Sequence, residues 1–143
     1  MVYIEYERIR RKLWQAQERY NKIVDEQELL FMRTQPKSLD AEKEKVGGTA
    51  QGGTFDNYLI SKEAKRIEQR LEEALQIMQE REQALKSKEA ELRHSAYIYD
   101  KIYIQRHLER HKIRKIARTV HYSEAQVYRI LRKIRQAIED DRK

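Results

Sequence analysis

Residues 113–135 read Ile113-Arg114-Lys115-Ile116-Ala117-Arg118-Thr119-Val120-His121-Tyr122-Ser123-Glu124-Ala125-Gln126-Val127-Tyr128-Arg129-Ile130-Leu131-Arg132-Lys133-Ile134-Arg135. Apolar residues fall at Ile116, Val120, Tyr122, Val127 and Ile130, and a small residue, Ala117, stands where two helices must cross closely. That spacing suits two helices that meet at a steep angle and share a buried face, which is the pattern of a helix-turn-helix. A first helix is expected over 113–120, a turn at His121-Tyr122, and a second helix from Ser123. Ser123 with Gln126 three residues on is a capping-box spacing, and Glu124 in the first turn suits the helix dipole. The turn often carries glycine where His121 stands, because that residue can need a positive φ, and histidine tolerates this better than most.

Charge points the same way. The 143 residues carry a net charge of +7, with 31 Lys and Arg against 24 Asp and Glu. Residues 101–143 hold 13 of the basic and 5 of the acidic residues, a net of +8, which leaves −1 for residues 1–100. The basic excess therefore lies in the segment with the helix-turn-helix pattern, as expected of a nucleic-acid-binding end on a near-neutral scaffold. The bland alternative is a solvated basic surface.

The rest of the chain reads as long helices. Charged residues make up 38% and hydrophobic ones 39%, thin in apolar groups for a compact globule but natural for helices that bury only a stripe. One long helix is expected over 3–33, because Val2, Tyr6, Ile9, Leu13, Ala16, Tyr20, Ile23, Gln27 and Leu30 step by fours and threes, a heptad seam with one polar interruption. Trp14, Val24 and Phe31 widen the stripe. Residues 34–56 lose the periodicity around Pro36, Gly47-Gly48 and Gly52-Gly53 and are expected to form a flexible loop, with a short helical turn over 38–45. A second long helix is expected over 57–93, capped by Asp56 or Asn57, with a stripe of Ile60, Ala64, Ile67, Leu71, Ala74, Met78, Leu85 and Leu92, and with Arg81 and Lys88 at seam positions. The two helices are expected to fold back as an antiparallel hairpin whose uncovered apolar surface favours a homodimer. A third helix over 94–106, carrying Tyr97, Ile98, Tyr99, Ile102 and Tyr103, would complete a trihelical terminal domain. No Gly or Pro separates it from the second helix. The expected class is all-α: a helical hairpin over 1–93 with its loop at 34–56, then a small helix-turn-helix domain over 94–143.

With Val127, Ile130 and Ile134 turned inward, the second helix of the motif, 123–138, shows outward Glu124, Ala125, Gln126, Tyr128, Arg129, Arg132 and Lys133. Gln126 and Arg129 are the expected base readers in the major groove of double-stranded DNA, since Gln pairs with adenine and Arg with guanine. Glu124 is a candidate acceptor from cytosine as well as a helix-start anion, and Tyr128 a contact for sugar or a thymine methyl. Arg114, Lys115, Arg118, Ser123, Arg132, Lys133 and Arg135 are expected at phosphates. The alternative is a three-helix module that binds protein.

The tail from Lys115-Ile116-Ala117-Arg118-Thr119-Val120-His121-Tyr122-Ser123 through Val127-Tyr128-Arg129-Ile130 resembles the fourth region of bacterial sigma factors. With its long helical N-terminal half, Gly-rich middle and length, the chain is similar to ArpU- and RinA-type regulators of phages of Gram-positive bacteria. The motif covers about a third of the chain, and the likeness to the phage regulators rests on architecture. The resemblance implies a sequence-specific promoter-binding activator of late phage genes for packaging or lysis, working in the bacterial host cytoplasm, with host RNA polymerase as a further partner. In the sigma group the second helix of the motif reads the promoter, a role that falls here to the helix starting at Ser123. Two other readings are a small terminase subunit and a sigma-like adaptor that grips polymerase rather than DNA.

Other signals carry less. Cys is absent, which excludes disulfides and thiolate zinc sites. No apolar run approaches the ~20 residues of a membrane span, and no signal-peptide core opens the chain. His107 and His111 sit at i and i+4, but no third ligand is evident and Glu109 lies between them, unlike zinc peptidases. The Gly-Gly pairs form no phosphate loop, and no nucleophile, base and orienter set stands out, so neither cofactor nor catalysis is expected. Arg8, Arg10, Arg11 and Lys12 are expected to form a solvated basic face.

Overall fold

The computed structural model describes the backbone of residues 1–34 and 50–143, and side chains over 1–33 and 59–143. The chain is all helical: α1 (Val2–Thr34), α2 (Ala50–Arg93), α3 (Ile98–Tyr103), a π-turn (Ile104–Leu108), α4 (Ile113–Val120) and α5 (Glu124–Arg142). The second long helix already runs at Ala50, so Asp56 and Asn57 lie inside it rather than at its start. Of the loop expected over 34–56, Thr34 and residues 50–56 are therefore helical, and residues 35–49, with the turn expected over 38–45, fall outside the described residues.

The two long helices pack against each other, and the heptad pattern explains how. Tyr6, Leu13, Ala16, Ile23 and Leu30 of the first seam are buried, as are Ile67, Ala74 and Leu92 of the second. Gln27 is exposed, as its polarity requires, and Trp14 stays largely in solvent rather than widening the seam.

Contacts divide the chain into two compact units, residues 15–79 and residues 1–14 with 80–143. The first is a piece of two-helix hairpin around Ile23, Leu30, Ile67 and Ala74, flanked by Tyr20, Ile60, Ala64 and Leu71. Arg70 pairs with Glu26 across it, 2.7 Å apart.

The second unit carries the helix-turn-helix, and it does not begin at residue 94. Its core joins Ile102, Tyr103, Ile104, Ile116, Ala117, Val127 and Ile134 to Leu92 of α2 and to Tyr3 and Tyr6 of α1. Tyr3 stacks on Tyr103 with centroids 5.5 Å apart, and Tyr6 meets the same ring edge-on at 6.1 Å. Buried Asp100 ties the pieces together. One carboxylate oxygen accepts the Tyr3 backbone N–H at 3.0 Å, satisfying a donor left open in the first turn of α1, and the other accepts the Ser95 hydroxyl at 2.6 Å. Glu7, also buried, accepts from the Tyr103 hydroxyl.

The third helix is shorter than expected. α2 stops at Arg93, and Ser95 reverses the chain: its hydroxyl takes the Tyr97 N–H at 3.2 Å while donating to Asp100. A serine that bonds the backbone two residues on and a carboxylate five residues on ends the helix without Gly or Pro. After Tyr103 the helix widens to a π-turn, whose His107 ring lies 4.8 Å from that of Tyr103. Arg110 then takes a left-handed conformation, φ 56°. His107 and His111 thus do not share one α-helical face, and among the described residues no group of three His, Cys, Asp or Glu side chains is placed to hold a metal.

Candidate nucleic-acid interface

The candidate interface is built on the turn between α4 and α5. α4 ends at His121, whose φ of 60° and ψ of 37° place it in the left-handed region, as the sequence pattern requires of this position. The N–H groups of His121 and Tyr122 both reach the carbonyl of Ala117, the latter at 3.0 Å, which closes the helix end tightly. Ser123 then caps α5: its hydroxyl accepts the Gln126 N–H at 3.2 Å, and the Gln126 side-chain oxygen accepts the Ser123 N–H at 3.0 Å. Both halves of the capping box are made.

Ile116, Val127 and Ile134 are fully buried and fix the α4–α5 crossing, with Ala117 at the close approach. Tyr122, expected inside, is 38% exposed, because the left-handed turn swings it outward. Since Val127 and Ile134 point inward, residues about half a turn away point out. Arg129, Arg132, Lys133, Arg135 and Tyr128 are all exposed on α5, as are Arg114, Lys115 and Arg118 on α4.

Two of the expected base contacts have other partners. The Gln126 side-chain oxygen is drawn back to Ser123, which leaves only its amide nitrogen for another group. Glu124 lies 3.7 Å from Arg114, so each offsets the other at the start of the motif. Arg129 has no such partner among the described residues. The outward face is thus led by unpaired cations that stand on a capped, core-anchored helix.

The basic residues of α1 are not simply a solvated face. Arg8 and Arg11 both reach Asp141 near the end of α5, at 2.5 and 2.6 Å, and Arg10 pairs with Glu7 at 3.5 Å. The twin guanidinium partners hold the Asp141 carboxyl below its usual range, chiefly through the Arg8 hydrogen bond. Arg93 bridges Glu89 and Glu109, and Lys88 bridges Glu5 and Glu91. Of these pairs, Arg8 and Arg11 with Asp141 tie α1 to α5, Arg93 with Glu109 ties α2 to the segment before α4, and Lys88 with Glu5 ties α2 to α1.

Sequence reasoning missed Arg106 and Arg142, which line a groove of about 410 Å³ with Arg132 and Arg135. Arg142 was within reach, being seven residues beyond Arg135 on the same helix face. Arg106 was not, because the π-turn shifts the register that would have placed it. Among the described residues, no helix is long and apolar enough to cross a membrane. No protein-family model, curated protein or solved structure matches the chain.

Proposed function

We propose that this chain is a sequence-specific, double-stranded-DNA-binding transcription regulator, an activator of late phage genes acting in the bacterial host cytoplasm. The observation that carries the DNA-binding reading is the capped helix α5, which turns Arg129, Arg132 and Lys133 outward while Val127 and Ile134 anchor it from behind. It belongs to the segment that holds the chain's basic excess. Arg129 reads bases, with the Gln126 amide nitrogen and Tyr128 beside it. Lys115, Arg118, Arg132, Lys133 and Arg135 meet phosphates and supply salt-dependent affinity. The late-gene role rests on the resemblance to the ArpU- and RinA-type regulators.

Two copies pair through the helical hairpin, where Leu29 and Met32 present apolar side chains to solvent. The segment 34–56 contacts RNA polymerase, and deletion of 38–53 with full activation retained in a reporter assay refutes that role. The central test is selection of bound fragments from the source genome at about physiological salt. One enriched upstream site, lost in an Arg129→Ala, Arg132→Ala variant, supports the reading. Retention without enrichment, or a ring of many subunits by light scattering, overturns it in favour of packaging or a polymerase adaptor.

A further inference from the structure

The groove between the π-turn and the C-terminal half of α5 has an uneven chemistry. Its rim carries Arg106, Arg132, Arg135 and Arg142 against one acid, Glu139. Its floor is apolar, formed by Ile113, Leu131 and Ile138, with Tyr128 at one side. Arg106 donates to the His111 carbonyl at 3.2 Å. Arg132, Arg135 and Arg142 have no carboxylate partner among the described residues. Like charges gathered in a concave wall raise the local potential and draw in anions.

We propose that this groove holds a DNA sugar–phosphate strand, continuing the contact that the outward face of α5 begins. This rests on the DNA-binding reading above. Three observations favour a nucleic-acid backbone over a compact anion or an acidic peptide. The groove shares Tyr128 and Arg132 with the reading face, so one strand runs from one to the other without leaving the protein. Apolar floor and guanidinium rim match a chain in which sugars alternate with phosphates, and an arginine fork fits phosphate oxygens in pairs. Arg135 and Arg142 stand two turns apart, about 10 Å along the helix axis, and so serve separate phosphates. The π-turn acquires a purpose here: by widening the helix after Tyr103 it places Arg106 on the far rim, and such bulges recur at functional sites.

The test uses the full chain and two duplexes of equal length, one with the genomically enriched sequence and one scrambled, titrated across a NaCl series. An Arg106→Gln, Arg142→Gln variant is expected to weaken binding to both duplexes by the same factor. It is expected to lower the slope of log affinity against log salt by about 1.8, or roughly 0.9 for each phosphate no longer neutralised. Arg129→Ala, in contrast, is expected to erase the preference between the duplexes. Arg142→Gln alone, at the exposed end of α5, is expected to remove about 0.9 of slope and covers the case in which the double variant does not fold. An unchanged slope with preference intact overturns the groove while leaving the function standing. Wild-type protein that binds neither duplex overturns both. Tight binding of inorganic triphosphate, reduced by the double variant whose DNA slope is unchanged, assigns the groove to a free anion and refutes the strand.

Discussion

Single residues set the strain and the polar balance of the second unit. His121 occupies the left-handed region, which costs a side chain with a Cβ about 1–2 kcal/mol relative to its favoured conformations. His121→Gly is expected to raise stability by about 0.5–1 kcal/mol in urea melts and His121→Val to lower it, with DNA preference unchanged. Asp100 is the polar centre, and Asp100→Ala leaves the Tyr3 N–H in a buried site, and the half-buried Ser95 hydroxyl, without their acceptor. A drop of about 1–3 kcal/mol is expected, and Asp100→Asn, which still accepts from Tyr3, is expected to cost less. Tyrosine ionisation tests the same core. Burial, aided by the nearby Asp100 charge, pushes the Tyr3 hydroxyl up to about 12. Tyr103 is raised by burial and then by its bond to Glu7, and Tyr6 chiefly by burial. The folded chain holds these protons where the unfolded chain, ionising near 10, releases them. Their stabilising contribution is therefore full below about pH 10 and is lost as pH climbs through the folded values. An ultraviolet absorbance titration is expected to show Tyr3, Tyr6 and Tyr103, of nine tyrosines, ionising late and together with unfolding.

At the scale of the element, α5 allows its capping to be separated from the reading role proposed for it. Ser123→Ala removes the acceptor for the Gln126 N–H and is expected to cost about 1 kcal/mol. Gln126→Ala discriminates between its two roles. If the side chain chiefly caps, thermal stability falls and the selected DNA sequence stays the same; a changed sequence at one position assigns it to a base. The capping box, the His121 turn and the two heptad seams were legible because each depends on residues within a turn or two along the chain. The end of α2 was not, since Ser95 stops it by bonding Asp100, a carboxylate whose place is set by Tyr3 from the other end of the chain. Nor was the π-turn, whose widening carries no composition mark. Tyr3 escaped because it stands off the seam of α1 and is buried by the ring of Tyr103, a hundred residues later in sequence. Of the expected interface, the exposed cations were readable from periodicity. The partners that occupy Glu124 and Gln126 were visible only once the helices were in place.

Across the whole molecule, the unit that bears the helix-turn-helix is assembled from two distant stretches of sequence. A fragment of residues 94–143 lacks Tyr3, Tyr6 and Leu92, so Ile102 and Tyr103 are stripped of much of their cover. It is expected to show weak helicity by circular dichroism and no cooperative melt, whereas the full chain melts cooperatively. A fragment as stable as the full chain would show that residues 1–14 are accessory. Removing Asp141 is expected to weaken the unit in a salt-dependent way, since Arg8 and Arg11 then have no shared partner. The bond from Tyr3 to Asp100 also has a consequence in time. A ribosome releases the first turn of α1 long before the residue that caps it exists, and Arg8 waits longer still for Asp141. Pairings so far apart in sequence form late. Nascent chains cut short before the last helix therefore lack Val127, Ile134 and Asp141 and cannot complete this unit, so under the DNA-binding function proposed above an incomplete copy does not compete with the finished one for a promoter.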